Sequence, residues 1–515
     1  MLKRPIGNVL HRVTWSANSP LLRRCKSSGR TPWRQDTTPE PSVFVEENFA
    51  KHTLFVLDVG KRTIKFSFIG LLSLGIISAA AYEGTHQWVE HVELAPELDE
   101  EVKRWGWNDE TEKWSGDTVK GGTDSALGFK GRHTVRAAWM AYNWGVGYST
   151  AVIGSEAAPG EGLAGPGGLR VIDASMQRTE DFLSSALSMA ESRSSHLHPQ
   201  TIAQLAARHA GVLERLGAQS LQNSKAEYER AWVGLSGQGL GAARIAVKLG
   251  DIYSRLGQAG DAITWWSKAV QLTRGEVPEV FEALPAVLGP PPESPGAQRV
   301  LSTTLVSLSA FYAKSGQLQQ AQAIEEASLS MLRSIEPPAS LASVSPPHTL
   351  HSLYLLQRSS LISIHLAEVL HAQRKPLVSS IQYLTSAAEY SERVARGLTG
   401  HPLPTSDTSS SKSLPRDASP LPAYTSSRSM TKAAFSLLRD ARRTSAEAWN
   451  LIGILNETQG KNLPVALQCY ERAVNWAGVF DEESESMQPG EGTLESDWAV
   501  FLGNYTRAKR LVEQK

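Results

Sequence analysis

Few residue groupings in this 515-residue chain could do chemistry, and each lacks the setting that its chemistry needs. Gly160-x-Gly162-x-x-Gly165 has the spacing with which a strand-to-helix turn offers backbone N–H groups to a dinucleotide pyrophosphate. Here it lies in a Gly/Pro/Ala-rich stretch with no strand pattern before it, and Pro166 follows directly. His196-Leu-His198 sets two imidazoles close together just before Pro199, and the surrounding sequence reads as a surface loop and not as a metal site. There is no P-loop, no His-Glu-x-x-His and no Gly-x-Ser-x-Gly. The two cysteines, Cys25 and Cys469, are too few for a disulfide scaffold or a Cys-based zinc site. The expectation is a chain that is not an enzyme and that uses no metal and no cofactor.

The elements that would position any site are signalled first by charge. Lysine plus arginine and aspartate plus glutamate each number 52, but eight of the basic residues (Lys3, Arg4, Arg12, Arg23, Arg24, Lys26, Arg30, Arg34) precede the first acid, Asp36. The remainder carries 44 basic against 52 acidic groups, which argues against nucleic acid as a partner. An acid-free, Arg-rich start with Leu2, Ile6, Val9, Leu10 and Val13 at helical spacing has the composition of a mitochondrial transit peptide, and residues 23–28 carry an Arg-preceded cleavage context. From Phe66 to Tyr82 run seventeen uncharged residues. At about 1.5 Å per residue they span a thin bilayer core, with Lys65 snorkelling and Phe66, Phe68, Tyr82 and Trp88 at the interfaces. Lys51, Lys61, Arg62 and Lys65 come before this run, while Glu83, Glu90, Glu93, Glu97, Asp99, Glu100 and Glu101 follow it. The positive-inside rule puts the amino-terminal side in the matrix and the remainder in the intermembrane space, as a single-pass inner-membrane protein.

Beyond residue 130, Ala, Leu, Gln, Glu and Arg recur at helical spacing, so the body is expected to be all-α. Counted from Gly250, Leu249 stands at −1, Tyr253 at +3, Gly257 at +7, Ala262 at +12, Trp266 at +16 and Ala269 at +19. Small residues at the origin and at +12 allow two antiparallel helices to approach, aromatic residues fill the space around them, and a glycine ends the first helix. This pattern resembles the tetratricopeptide repeat (TPR) family. A copy around Ser309 keeps Leu305, Leu308, Tyr312, Gly316 and Ala321, with Glu325 in the aromatic place. One around Gly453 keeps Trp449, Ile452 and Gly460 and then, after a one-residue insertion, Ala466, Tyr470 and Ala473. Weaker copies centre on Ala210 and Ala367, and the spacing of the centres requires inserted loops at 284–297, 336–348 and 398–428, expected to be poorly ordered. Arg132–Trp144 and Asp173–Arg193 are candidates for a cryptic first pair, and 496–512 for a capping helix with a basic outer face.

The expected division is a transit peptide over 1–35, a matrix-side segment over 36–65 and a transmembrane helix over 66–82. A Trp-rich acidic segment over 83–131, a TPR-like solenoid over 132–395, a Ser/Pro-rich loop over 396–430 and a final repeat with its cap over 431–512 follow. The Trp-rich region, including Gly128–His133, is read as an aromatic plug for the first end of the solenoid or as a partner-docking surface. TPR solenoids line a concave peptide groove with their inner helices, and the resemblance puts Arg244, Val247, Lys248, Asp251 and Arg255 on it. Arg244 and Lys248 match places where chaperone-binding members keep carboxylate-gripping cations, but the companion asparagines and lysines are not evident, so ordinary helix charges are the better reading. Presequence, anchor and TPR body together resemble the fungal TPR adaptors of the i-AAA protease supercomplex. That resemblance implies a nonenzymatic membrane protein that presents unfolded or membrane-protein substrates to the protease. The alternative is an assembly factor for a respiratory chain complex, resembling the inner-membrane TPR protein that acts on the cytochrome bc1 complex.

Overall fold

The computed structural model describes residues 44–109, 113–115, 121–145, 152–154, 170–172, 174–276, 289–335, 344–402, 414, 418–481, 486–490, 493 and 495–514. The expected transit peptide and the Gly160–Gly165 run lie outside the described residues, as do 284–288, 336–343, 403–413 and 415–417 of the expected loops. The chain divides into two compact units after Ala79.

The first unit contains most of helix α1, Phe44–Trp88, whose 45 residues are about 68 Å long. It is longer than the expected 66–82 because nothing between Lys51 and Phe66 breaks a helix, and Arg62 pairs with Asp58 one turn away at 2.8 Å. Its apolar side chains are exposed from Leu54 through Ile77, and His52–Glu93 is long and apolar enough to cross a membrane.

The second unit is built of helices packed in successive pairs. After the short α2 (Glu100–Arg104), α3 (Gly128–Trp144) packs on α4 (Ala174–Glu191), the cryptic first pair that the sequence suggests. Then α5 (Thr201–Leu216) pairs with α6 (Leu221–Gly234), α7 (Gly239–Arg255) with α8 (Ala259–Thr273), and α9 (Pro295–Lys314) with α10 (Leu318–Ser334). The array continues with α11 (Pro346–Ala372) on α12 (Leu377–Thr399) and α13 (Arg428–Thr458) on α14 (Leu463–Ala477), capped by α15 (Glu495–Glu513). The strands among the described residues form two short antiparallel pairs, β1 (Val152–Gly154) with β2 (Arg170–Ile172) and β3 (Gly478–Asp481) with β4 (Ser486–Pro489). The body is a TPR-like α-solenoid.

Local sequence explains the pairs. Pro295 and Pro346 open α9 and α11, where a missing N–H costs nothing. Gly257 and Gly316 close α7 and α9 in the left-handed region, with φ of 76° and 77°. The next N–H then reaches back to the tyrosine carbonyl at +3, Gln258 to Tyr253 and Gln317 to Tyr312, each at 2.9 Å. After α11 the same turn recurs at +7 on Arg374 (φ 59°), with Lys375 bonded to Leu370 O at 3.0 Å. In the Gly453 unit the left-handed residue is Lys461 (φ 50°) and not Gly460, the one-residue insertion seen as geometry.

The packing of each pair follows the small-and-aromatic rule. A Cβ placed on Gly250 would stand 2.5 Å from Trp266 Cδ1, and one on Gly453 would stand 2.6 Å from Tyr470 Cε1. Leu249, Ala262, Trp266, Ala269, Ala466, Tyr470 and Ala473 are buried, and Trp449 nearly so. The 398–428 stretch departs from expectation where it is described. Leu421 N–H bonds to Leu398 O at 2.8 Å, and Leu414 and Tyr424 are buried against the last core cluster.

Candidate functional site

The Trp-rich residues that follow α1 divide between the first end of the array and its middle. Trp114 and Trp139 join the first core cluster, as a plug would, but Trp105 and Trp107 lie along the amino-terminal ends of α9 and α11, far along the solenoid. Residues 93–109 form a strap held at the starts of four helices or the turns before them. Arg244 of α7 donates to Asp109 O. Buried Arg299 of α9 donates to Trp105 O at 3.1 Å and Gly106 O at 2.8 Å, and its guanidinium lies 4.0 Å from the Trp107 ring centre. Trp107 Nε1 donates to Pro347 O at 2.9 Å, and Trp105 stacks on His348 at 4.0 Å. Ser345, just before α11, donates to Glu101 at 2.8 Å, and Ser427, the cap of α13, donates to Glu97. The hydrogen bonds from Ser345 and Trp105 hold the Glu101 carboxyl below the usual carboxylate range.

His351 completes the clamp. Its Nδ1 stands 3.1 Å from Arg299 Nη1, which can only donate, so Nε2 carries the proton and donates to Gln298 Oε1 at 2.9 Å. Burial and then the Arg299 charge push its pKa down to about 3, so the ring is neutral. Beside the strap is a cavity of about 1020 Å³ whose lining includes Trp107, Trp114, Tyr354, Gln357, Arg358 and Lys432. That is at the upper end of small-ligand site volumes. Gln357 is oriented within it, because its Nε2 donates to Thr444 Oγ1 at 2.8 Å.

The five groove candidates divide. Lys248 and Arg255 both grip Glu214 of α5, at 3.2 and 3.1 Å, so they tie neighbouring pairs together. Asp251 accepts from Trp266 Nε1 at 3.2 Å, and burial pushes its carboxyl up. Arg244 is engaged with the strap. Val247 is the correction. It is buried with Ala243, Ala246, Ala269 and Val300 where α7 meets its neighbours, and it presents nothing to a groove.

Sequence reasoning missed Arg299, His351 and Glu392. Glu392 of α12 is buried and accepts from Trp449 Nε1 at 2.8 Å, Trp476 Nε1 at 3.0 Å and Arg472 at 3.2 Å, joining three helices. The backbone N–H of His198 donates to Asp124 at 2.8 Å. Among the described residues no group of three His, Cys, Asp or Glu side chains is placed to hold a metal ion.

No protein-family model matches the chain, and no curated protein matches it. Solved structures do. BtubC (BKLC) from P. vanneervenii aligns with 59% of this chain and 91% of its own, at 14% identity and a TM-score of 0.32. A monomeric mutant of IFIT1 with Gppp-AAAA aligns with 74% of this chain and 80% of its own, at 13% identity and a TM-score of 0.20, and a second such mutant with m7Gppp-AAAA gives the same values. Likeness of this degree carries no functional argument; the helix-pair geometry above defines the class. It is a TPR-like solenoid, an architecture suited to protein–protein interaction, in a chain with one helix fit to cross a membrane.

Proposed function

We propose that the chain is a nonenzymatic adaptor anchored in the mitochondrial inner membrane, which holds unfolded or membrane-protein segments and presents them to an i-AAA protease. The observation that carries this reading is the strap. The solenoid grips a segment outside its own helix pairs through carbonyl oxygens and indole rings, the contacts with which it would grip a guest polypeptide. The basic, acid-free first 35 residues support the mitochondrial address. The charge step across 66–82 supports an amino terminus in the matrix and a body in the intermembrane space. An anchor of this kind raises the local concentration of held segments near a membrane-bound protease.

The test is affinity purification of the carboxyl-terminally tagged chain from mild-detergent extracts of mitochondria, with partners identified by mass spectrometry. Recovery of an inner-membrane AAA protease is the expected outcome. Respiratory-complex subunits without the protease would replace the adaptor reading with an assembly role.

A further inference from the structure

The basic-aromatic run Gly128–His133 has no part in the strap or the cavity. Phe129 is 74% exposed, and Lys130 beside it is exposed as well. The register of α3 against the end of α1 shows where they stand. His133 Nε2 lies 2.8 Å from Glu83 Oε2, and its ring centre is 4.5 Å from that of His86 and 6.1 Å from that of Tyr82. One turn further along α3, Arg136 donates to His86 O at 3.3 Å and stands 3.6 Å from Glu90. Arg132, with its longer arm, also reaches forward to Glu90 at 2.9 Å. Going forward on α3 therefore leads toward Glu90, and going back one turn from His133 leads toward Tyr82. That earlier turn is Phe129–Lys130, and the Phe129 ring packs on His133 with centres 3.9 Å apart.

Tyr82 closes the uncharged run, so an exposed aromatic ring and an exposed ammonium lie one turn of α3 back from the His133 ring that stacks on the last residue of the apolar segment. Aromatic rings favour the headgroup zone of a bilayer, and lysines there are attracted to anionic lipid. We infer that the start of α3 is a second membrane contact. Phe129 enters the interfacial zone of the leaflet from which α1 emerges, and Lys130 pairs with anionic headgroups. The inference rests on α1 being a membrane span, and it concerns lipid, not the protein partners of the solenoid.

The test uses the full chain in phosphatidylcholine vesicles, with and without a minority of phosphatidylglycerol. An environment-sensitive NBD label is carried on Phe129→Cys in a Cys25→Ser background, Cys469 being buried. Phe68→Cys, within the apolar run, and Val233→Cys, an exposed apolar residue of α6, are the inside and outside references. The label at 129 is expected to emit to the blue of the label at 233 and to be quenched by lipids spin-labelled near the headgroup. Phosphatidylglycerol should strengthen the quenching, and Lys130→Glu should remove that gain. Emission at 129 matching that at 233, with quenching kept at 68, overturns the second contact and leaves the anchor standing. Loss of quenching at 68 overturns the anchor itself. An unaltered lipid dependence in Lys130→Glu removes the headgroup pairing.

Discussion

Where α7 and α8 cross, an indole fills the space over a glycine; at the corresponding place between α9 and α10, a carboxylate does. Trp266 is 1% exposed, is seated against Gly250, and finds an acceptor in Asp251. Glu325 is 0% exposed beside Ser309, and neither of its carboxylate oxygens receives a full hydrogen bond. Burial first, and the nearby Glu368 second, push its carboxyl up to about 8, so at neutral pH it holds its proton and acts as a neutral filler. The Gly453 unit returns to the aromatic solution with Tyr470, whose hydroxyl donates to Glu457 at 2.7 Å. The comparison teaches that the +16 position demands volume opposite a small residue and tolerates a polar group only when it is uncharged or partnered.

Removing the indole is the largest way to break the comparison. Trp266→Ala should lower stability by about 3–5 kcal/mol in chemical denaturation, since it empties a site that no neighbour can refill. Second comes pH. A folded-state pKa above the unfolded value gives stability that is complete below about 4.5 and is lost as pH rises to about 8. The wild-type denaturation midpoint should therefore fall over that window, and Glu325→Gln should flatten the slope. A parallel slope in the variant would assign the dependence to Glu368 and Glu447, which burial also pushes up. Third, Gly250→Ala should cost about 1–3 kcal/mol of melting stability through overlap with the Trp266 ring, despite alanine's better helix propensity. Gly250→Trp should cost at least as much. The smallest effects lie at the turns. Gly257→Ala should destabilise by about 1 kcal/mol, while Lys461→Gly should raise the melting temperature slightly by relieving a left-handed backbone.

The turns and the crossings were legible in the sequence because both are local. Gly257, Gly316 and the Gly250–Trp266 spacing are decided within one helix pair, and the Ala367 centre reappears as the Arg374 turn. Periodicity identifies the apolar face of a helix but does not say which edge of that face meets the next pair; Val247 lies in a helix interface and not on a groove. The strap was illegible for a different reason. Arg299 meets Trp105 and Gly106 across 194 and 193 positions, and Ser427 meets Glu97 across 330. No spacing rule reaches that far. Helix α1 runs past the uncharged segment at both ends because hydropathy reports what a bilayer would accept, whereas a helix continues until a residue stops it.

A helical-repeat array ordinarily gains its stability from neighbours, so it can fray from either end and fold from any point. The strap changes that arithmetic. By joining the starts of α7, α9 and α11 to the turn before α13, it makes the first residues after α1 a condition for the middle and late repeats to lock together. The expected result is one cooperative unfolding transition in place of a gradual one, and slow folding set by contacts hundreds of residues apart. In a chain synthesised from its amino terminus, residues 93–109 emerge early and wait for the last helices before they are held.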